Sequence, residues 1–159
     1  MKKIIVIFAL ALIFNSLWAS AQEDEITAGL TPDSAFYGLD RALESIRLAL
    51  TFSHTKKAEL HLKYANERLA EVQKIIEKNE LEHLEKLVND MDLQLNKTRR
   101  ETDKEKALGK NIDELLARIQ EVTSKHTSVL TSLLDKVPES AKEKIQHAIE
   151  MSSKSAERA

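Results

Sequence analysis

The chain has no cysteine, only three glycines and two prolines, and few aromatics: one Trp, two Tyr and four Phe. Without cysteine it can form no disulfide and carry no acylated lipoprotein anchor, so stability must come from buried apolar area. With so little Gly and Pro, strands joined by tight turns are disfavoured. Gly29, Gly38 and Gly109 stand apart from one another, so no glycine-rich loop is present to cradle a phosphate. No cysteine nucleophile and no Gly-x-Ser-x-Gly elbow occur. Pairs of carboxylates carry no signal in a chain this rich in Glu, and the expectation is that the protein is not an enzyme.

Long apolar runs are scarce as well. The one present opens the chain, where Lys2 and Lys3 precede the apolar stretch Ile4 to Phe14, followed by the small-x-small pattern Ala19-Ser20-Ala21. This reads as a cleavable signal peptide over residues 1–21, with an uncleaved anchor as the alternative. The expected destination is therefore secreted, periplasmic or cell-surface. Loss of Lys2 and Lys3 leaves 22 basic side chains against 26 acidic, a net charge of −4. That balance argues against nucleic acid as a partner and against an electrostatic membrane-surface role. No later segment is apolar enough to cross a bilayer, so no stable membrane insertion is expected after cleavage.

What is abundant is Glu, Lys, Leu, Ala and Ile, all good helix formers. Residues 22–30 read as a flexible lead-in. Thr31-Pro32 reads as a helix start, with a hydroxyl cap and Pro at the first helical position. Phe36, Leu39, Leu43, Ile46 and Leu50 then form one apolar face, and Ser53 to Thr55 offers a new cap. Ala58, Leu62, Ala65, Leu69, Val72 and Ile76 make a second stripe, and Leu81, Leu84, Val88, Met91 and Leu95 a third. Between these two the phase slips at Lys78-Asn79. The charged, apolar-free stretch Thr98 to Lys106 reads as a turn. Leu108, Ile112, Leu115, Ile119, Val122, His126, Val129 and Leu133 form a long fourth stripe. Pro138 opens a fifth helix with Ala141, Ile145 and Ala148 inward, and residues 152–159 read as a frayed tail. The pattern predicts an all-α antiparallel bundle of four to five helices over residues 31–151. If the slip at Asn79 is a kink rather than a turn, the alternative is a long hairpin, dimeric in that case.

Two parts of the chain resemble a secreted prokaryotic all-helical family known only as a domain of unknown function. The opening carries Thr31-Pro32-Asp33-Ser34, Phe36-Tyr37, Leu39-Asp40-Arg41, Arg47-Leu48, Thr51-Phe52, Lys56-Lys57-Ala58-Glu59-Leu60-His61 and Glu67-Arg68-Leu69-Ala70-Glu71. The closing segment carries His126, Leu130, Val137-Pro138-Glu139, Ala141 and Ala148-Ile149-Glu150. The chain departs from the family at Ser53-His54-Thr55, where an acidic residue and Pro are usual. The resemblance implies an extracytoplasmic helical domain with no assigned reaction. Asp40, Arg41 and Arg47 read independently as helix-surface charges, and Phe36, Tyr37 and Phe52 as core anchors around the first helix.

Histidine is the residue type worth following, because in an oxidising compartment without thiols imidazole is the natural ligand for copper, zinc or nickel. His126 sits in the fourth apolar seam, where a polar ring must find a partner or destabilise the fold. At about 1.5 Å per residue, turns near Asp103 and Pro138 bring His126 level with about residues 80 and 148, near His83 and His147. His83, His126 and His147 are thus a candidate site for a divalent transition metal, against the plainer reading of His126 as a bonded core histidine. Glu80 and His83 share a helix face, but the pair occurs once. His54 and His61 point the same way at the edge of the second stripe, and Asn96-Lys97-Thr98 is a glycosylation sequon near the expected turn.

Two function classes follow. The leading one is a non-catalytic binding or envelope-associated module, offering an apolar groove or charged face to another envelope or extracellular protein. In that reading Leu60, Ile75, Leu116, Leu130 and Leu134, which flank the main stripes, supply an exposed or second apolar face. The alternative is a metal-binding or metal-sensing helical protein that uses the histidines.

Overall fold

The computed structural model describes residues 30–159; the expected leader, its expected cleavage site and most of the expected lead-in lie outside the described residues. Among the described residues five α-helices follow in order: α1 Tyr37–Leu50, α2 His54–Glu77, α3 Leu84–Ala107, α4 Asp113–Leu133 and α5 Glu139–Glu157. Short 3-10 turns at Leu81–His83 and Leu134–Lys136 lead into α3 and out of α4. The protein is an all-α bundle, as the periodicity requires. Among the described residues no helix is long and apolar enough to cross a membrane.

The core is built by the second to fifth stripes. Ala58, Leu62, Ala65, Leu69, Val72 and Ile76 of α2 are buried against Leu84, Val88, Met91 and Leu95 of α3. Leu115, Ile119, Leu130 and Leu133 of α4 and Ala141, Ile145 and Ala148 of α5 close the same core. Each fully buried leucine or isoleucine contributes roughly 1.5–3 kcal/mol of transfer free energy.

The phase slip is a turn and not a kink. The chain leaves α2 through Asn79, whose φ of 59° is left-handed, and the Glu80 N–H donates to the Ile75 carbonyl at 2.8 Å. α2 and α3 are therefore separate antiparallel helices, with His54 beside Glu101 and His61 beside Gln94. The single long rod is set aside.

Four boundaries differ from the sequence reading. Thr31 to Ser34 forms a turn, with Ser34 N–H on the Thr31 carbonyl at 2.8 Å, and α1 begins only at Tyr37. Thr98 to Lys106 is not a turn but the last part of α3. Thr98 and Thr102 send their hydroxyls back to the Gln94 and Thr98 carbonyls, which suits a helix interior. The reversal falls after Leu108, at Gly109 with φ 70°, where a side chain would be strained. Finally, the tail is helical to Glu157, and Ser152 is fully buried.

Carboxylates on α3 organise the start of α2. Ser53 Oγ accepts from Lys56 N–H, the cap expected there. Glu105 Oε1 accepts both the Thr55 N–H and the Thr55 hydroxyl at 2.9 Å, while Lys110 approaches its other oxygen at 2.9 Å. These bonds to the charged form hold the Glu105 carboxyl down at about 2.

Candidate functional site

The first apolar stripe, expected in the core, faces outward. Phe36 is 66 %, Leu39 59 %, Leu43 49 %, Ile46 54 % and Leu50 51 % exposed. Phe52, in the connection to α2, reaches 88 %. The aromatic anchors expected around α1 reduce to Tyr37, which is buried.

α1 instead lies on the bundle by its polar face. Tyr37 and Glu44 are its buried residues, with Asp40, Arg41, Arg47 and Leu48 half-buried along the same side. The reason lies in α2, which has two buried rows. One is the apolar stripe. The other is His61, Tyr64, Arg68 and Glu71, at helical three- and four-residue spacing. An apolar helix face laid on that row would strand its charges, so α1 presents matching polar groups.

Arg68 is the centre of the seam. Its side chain is fully buried, with Nη2 2.7 Å from Glu44 Oε1 and 2.9 Å from Glu71 Oε1. Its Nη1 donates to the Tyr37 hydroxyl at 3.3 Å, which in turn donates to Glu71 Oε2 at 3.5 Å. Arg41 Nη1 holds the second Glu44 oxygen at 2.7 Å and reaches Asp90 on α3 at 3.6 Å. Lys86 of α3 stands over the Tyr37 ring, 5.1 Å from its centre. Tyr64 adds a hydroxyl bond to the Glu44 carbonyl at 3.5 Å, and burial pushes its phenol up to about 12. Burial also pushes the Glu71 carboxyl up to about 7, against the downward pull of Arg68.

Arg41 is therefore not a surface charge. Glu44, Tyr64, Arg68 and Glu71 did not emerge as site residues from the sequence, although Tyr64, Arg68 and Glu71 repeat at three- and four-residue steps. Tyr37, Arg41, Arg68 and Glu71 are also among the residues that carry the family resemblance, and the seam supplies a physical reason for them.

Beside the C-terminal turn of α1 lies a shallow cleft of about 380 Å³. Leu48 and Ala49 form its apolar side, and Lys57, Lys97, Arg100 and Lys104 stand around it. Its single carboxylate, Glu101, is already held by His54 at 2.6 Å and Lys104 at 2.5 Å.

The three candidate metal ligands are placed differently. His126 is fully buried on α4, with Nε2 3.0 Å from Asn66 Oδ1 and Nδ1 without a partner. Burial pulls its ring down to about 4, so it is neutral at pH 7. His83 sits 3.3 Å from its neighbour Glu82, and His147 is exposed on α5. Among the described residues no three His, Cys, Asp or Glu groups are arranged to hold a metal ion. His61 is buried and lies 2.7 Å from Gln94 Oε1 rather than reaching out from the core edge. Asn96 is half-buried in the middle of α3, and its amide donates to the Asp92 carbonyl and carboxylate. Of the five flanking residues expected to form a second apolar face, Ile75 and Leu130 are fully buried, and Leu60, Leu116 and Leu134 are half-buried.

A family described as "Domain of unknown function (DUF5667)" matches residues 29–140. The chain belongs to that family. The match takes in the whole α1 seam, its Arg68 centre and the cationic cleft, and stops at the start of α5. Neither a curated protein nor a solved structure matches the chain.

Proposed function

We propose that this DUF5667 protein is an exported, non-catalytic docking module, with helices α2 to α5 as the stand and α1 as the docking element. Its place is the periplasm, cell surface or extracellular space, attached to another component of the envelope. The observation that carries this is the orientation of α1. An isolated amphipathic helix on a bundle buries its apolar stripe, because that is where burial energy lies. Here a buried guanidinium and two carboxylates hold the helix the other way round. Leu39, Leu43 and Ile46 are left in solvent, and a contiguous apolar face of this kind marks an interaction surface.

The test is fractionation of the native envelope for the wild type and for a double Leu43→Glu, Ile46→Glu variant. Both positions are about half exposed, so the variant keeps its fold by circular dichroism. The wild type is expected in the envelope fraction and the variant in the soluble one. Equal distribution of the two would contradict the proposal.

A further inference from the structure

We infer that the surface α1 docks on is an anionic phospholipid bilayer. This rests on the reading of α1 as the docking element and names what it meets. The apolar face does not end in neutral surroundings. Beside its C-terminal end Ala49 and, on the bundle-facing side of the helix, Leu48 border the cleft of Lys57, Lys97, Arg100 and Lys104. The bare ring of Phe52 projects from the adjoining turn. The cleft's one carboxylate, Glu101, is paired with Lys104, which leaves Lys57, Lys97 and Arg100 as its net positive charge.

A helix with an outward apolar face beside clustered cations lies in the interface of a membrane. The apolar side chains enter the acyl boundary, and the cations meet lipid phosphates. Leu39, Leu43, Ile46 and Leu50 fit the first part and Lys57, Lys97 and Arg100 the second. The net charge of −4 argues against such a surface only when charge is averaged over the whole chain. Charge also disfavours a second copy as the occupant. Antiparallel pairing of two α1 helices would set the cationic cleft against the opposite end of α1. Of the acids there, Asp33 and Asp90 are already paired with Lys78 and with Lys86 and Arg41, and Asp40 is half-buried on the bundle side of α1.

The experiment is co-sedimentation of the purified protein with vesicles of phosphatidylcholine alone and of phosphatidylcholine mixed with phosphatidylglycerol, at low and high salt. The expected result is binding to the anionic vesicles, at least tenfold weaker without phosphatidylglycerol and weakened by salt. Lys97→Gln with Arg100→Gln is expected to cost about thirtyfold in vesicle affinity. Leu43→Glu with Ile46→Glu is expected to abolish binding while the melting temperature holds. Equal binding to both vesicle types would overturn the assignment. So would binding indifferent to the Leu43 and Ile46 changes, or self-association that covers α1 and leaves vesicles untouched. Envelope retention that depends on α1, without vesicle binding, would sink the lipid assignment and leave the docking reading standing. Loss of both would sink the two together.

Discussion

Arg68 Nη2 lies 2.7 Å from Glu44 Oε1, and through this contact a fully buried cation on α2 holds the buried charge of α1. Removing one partner of such a pair leaves the other uncompensated in a dry site, which costs more than the pair itself is worth. Arg68→Met is expected to destabilise the protein by about 3–5 kcal/mol in urea titrations. Glu44→Gln removes only one of the two carboxylates on Arg68, and is expected to loosen α1 with a smaller global loss. Hydrogen exchange should then quicken across Tyr37–Leu50 and not in Leu84–Ala107. Uniform quickening in both helices would contradict the local role of this contact.

The two kinds of apolar stripe should respond differently to truncation. Leu69 is fully buried, and Leu69→Ala is expected to cost about 2–5 kcal/mol. Leu43 is 49 % exposed, and Leu43→Ala is expected to stay within about 0.5 kcal/mol. Thermal melts of the two variants measure this directly, and equal losses would mean that the stripe of α1 is core after all.

Both stripes have the same spacing, and that is why the sequence reading went right for one and wrong for the other. Periodicity shows that Leu39, Leu43 and Ile46 share a face, but not what that face meets. The information lay across the helix pair, in Tyr64, Arg68 and Glu71 on α2 and Tyr37, Arg41 and Glu44 on α1. Taken one by one, such charges resemble any solvated helix face. The misplaced turn has a similar origin. Thr98 to Lys106 lacks apolar residues because Glu101 and Glu105 are buried by bonds to the start of α2, not because the helix ends. Gly109, three residues beyond that stretch, was the better turn signal. The α2–α3 hairpin was legible because Leu62, Leu69, Val88 and Met91 all face one core. So was the placing of His126 inside the bundle.

His126 sets an acid limit. The unfolded chain protonates it near 6.5 and the folded chain not until about 4. Between those values the unfolded state binds more protons, so stability falls as the pH drops through that window, by on the order of 3 kcal/mol in all. Glu71 works in the opposite direction, because its folded value is raised from 4.5 to about 7. The native state holds that proton first, so Glu71 adds stability as the pH falls from about 7 to 4.5. The two offset each other where they overlap. Urea titrations of His126→Leu at pH 7 and at pH 4.5 should therefore show a variant that gains stability on acidification relative to the wild type. Parallel pH curves for the two proteins would contradict the neutral, buried state of His126.

Zinc or copper ions offer a check on the histidines. A ligand that binds only the folded state raises its melting temperature by mass action. With His126 committed to Asn66 and His147 exposed on α5, the expected melting temperature is unchanged by either ion. A concentration-dependent rise that His126→Leu removes would show instead a metal site in the core.

The central claim is that α1 lies polar side down with its apolar side in solvent, and the absence of native cysteine makes it directly measurable. A single Leu43→Cys and a single Leu62→Cys are reacted with a thiol reagent under native conditions, at a protein concentration where the chain is monomeric. Cysteine at 43 is expected to label at nearly the rate of a free thiol, and cysteine at 62, where the native leucine is 2 % exposed, orders of magnitude more slowly. Equally slow labelling at both positions would contradict the account.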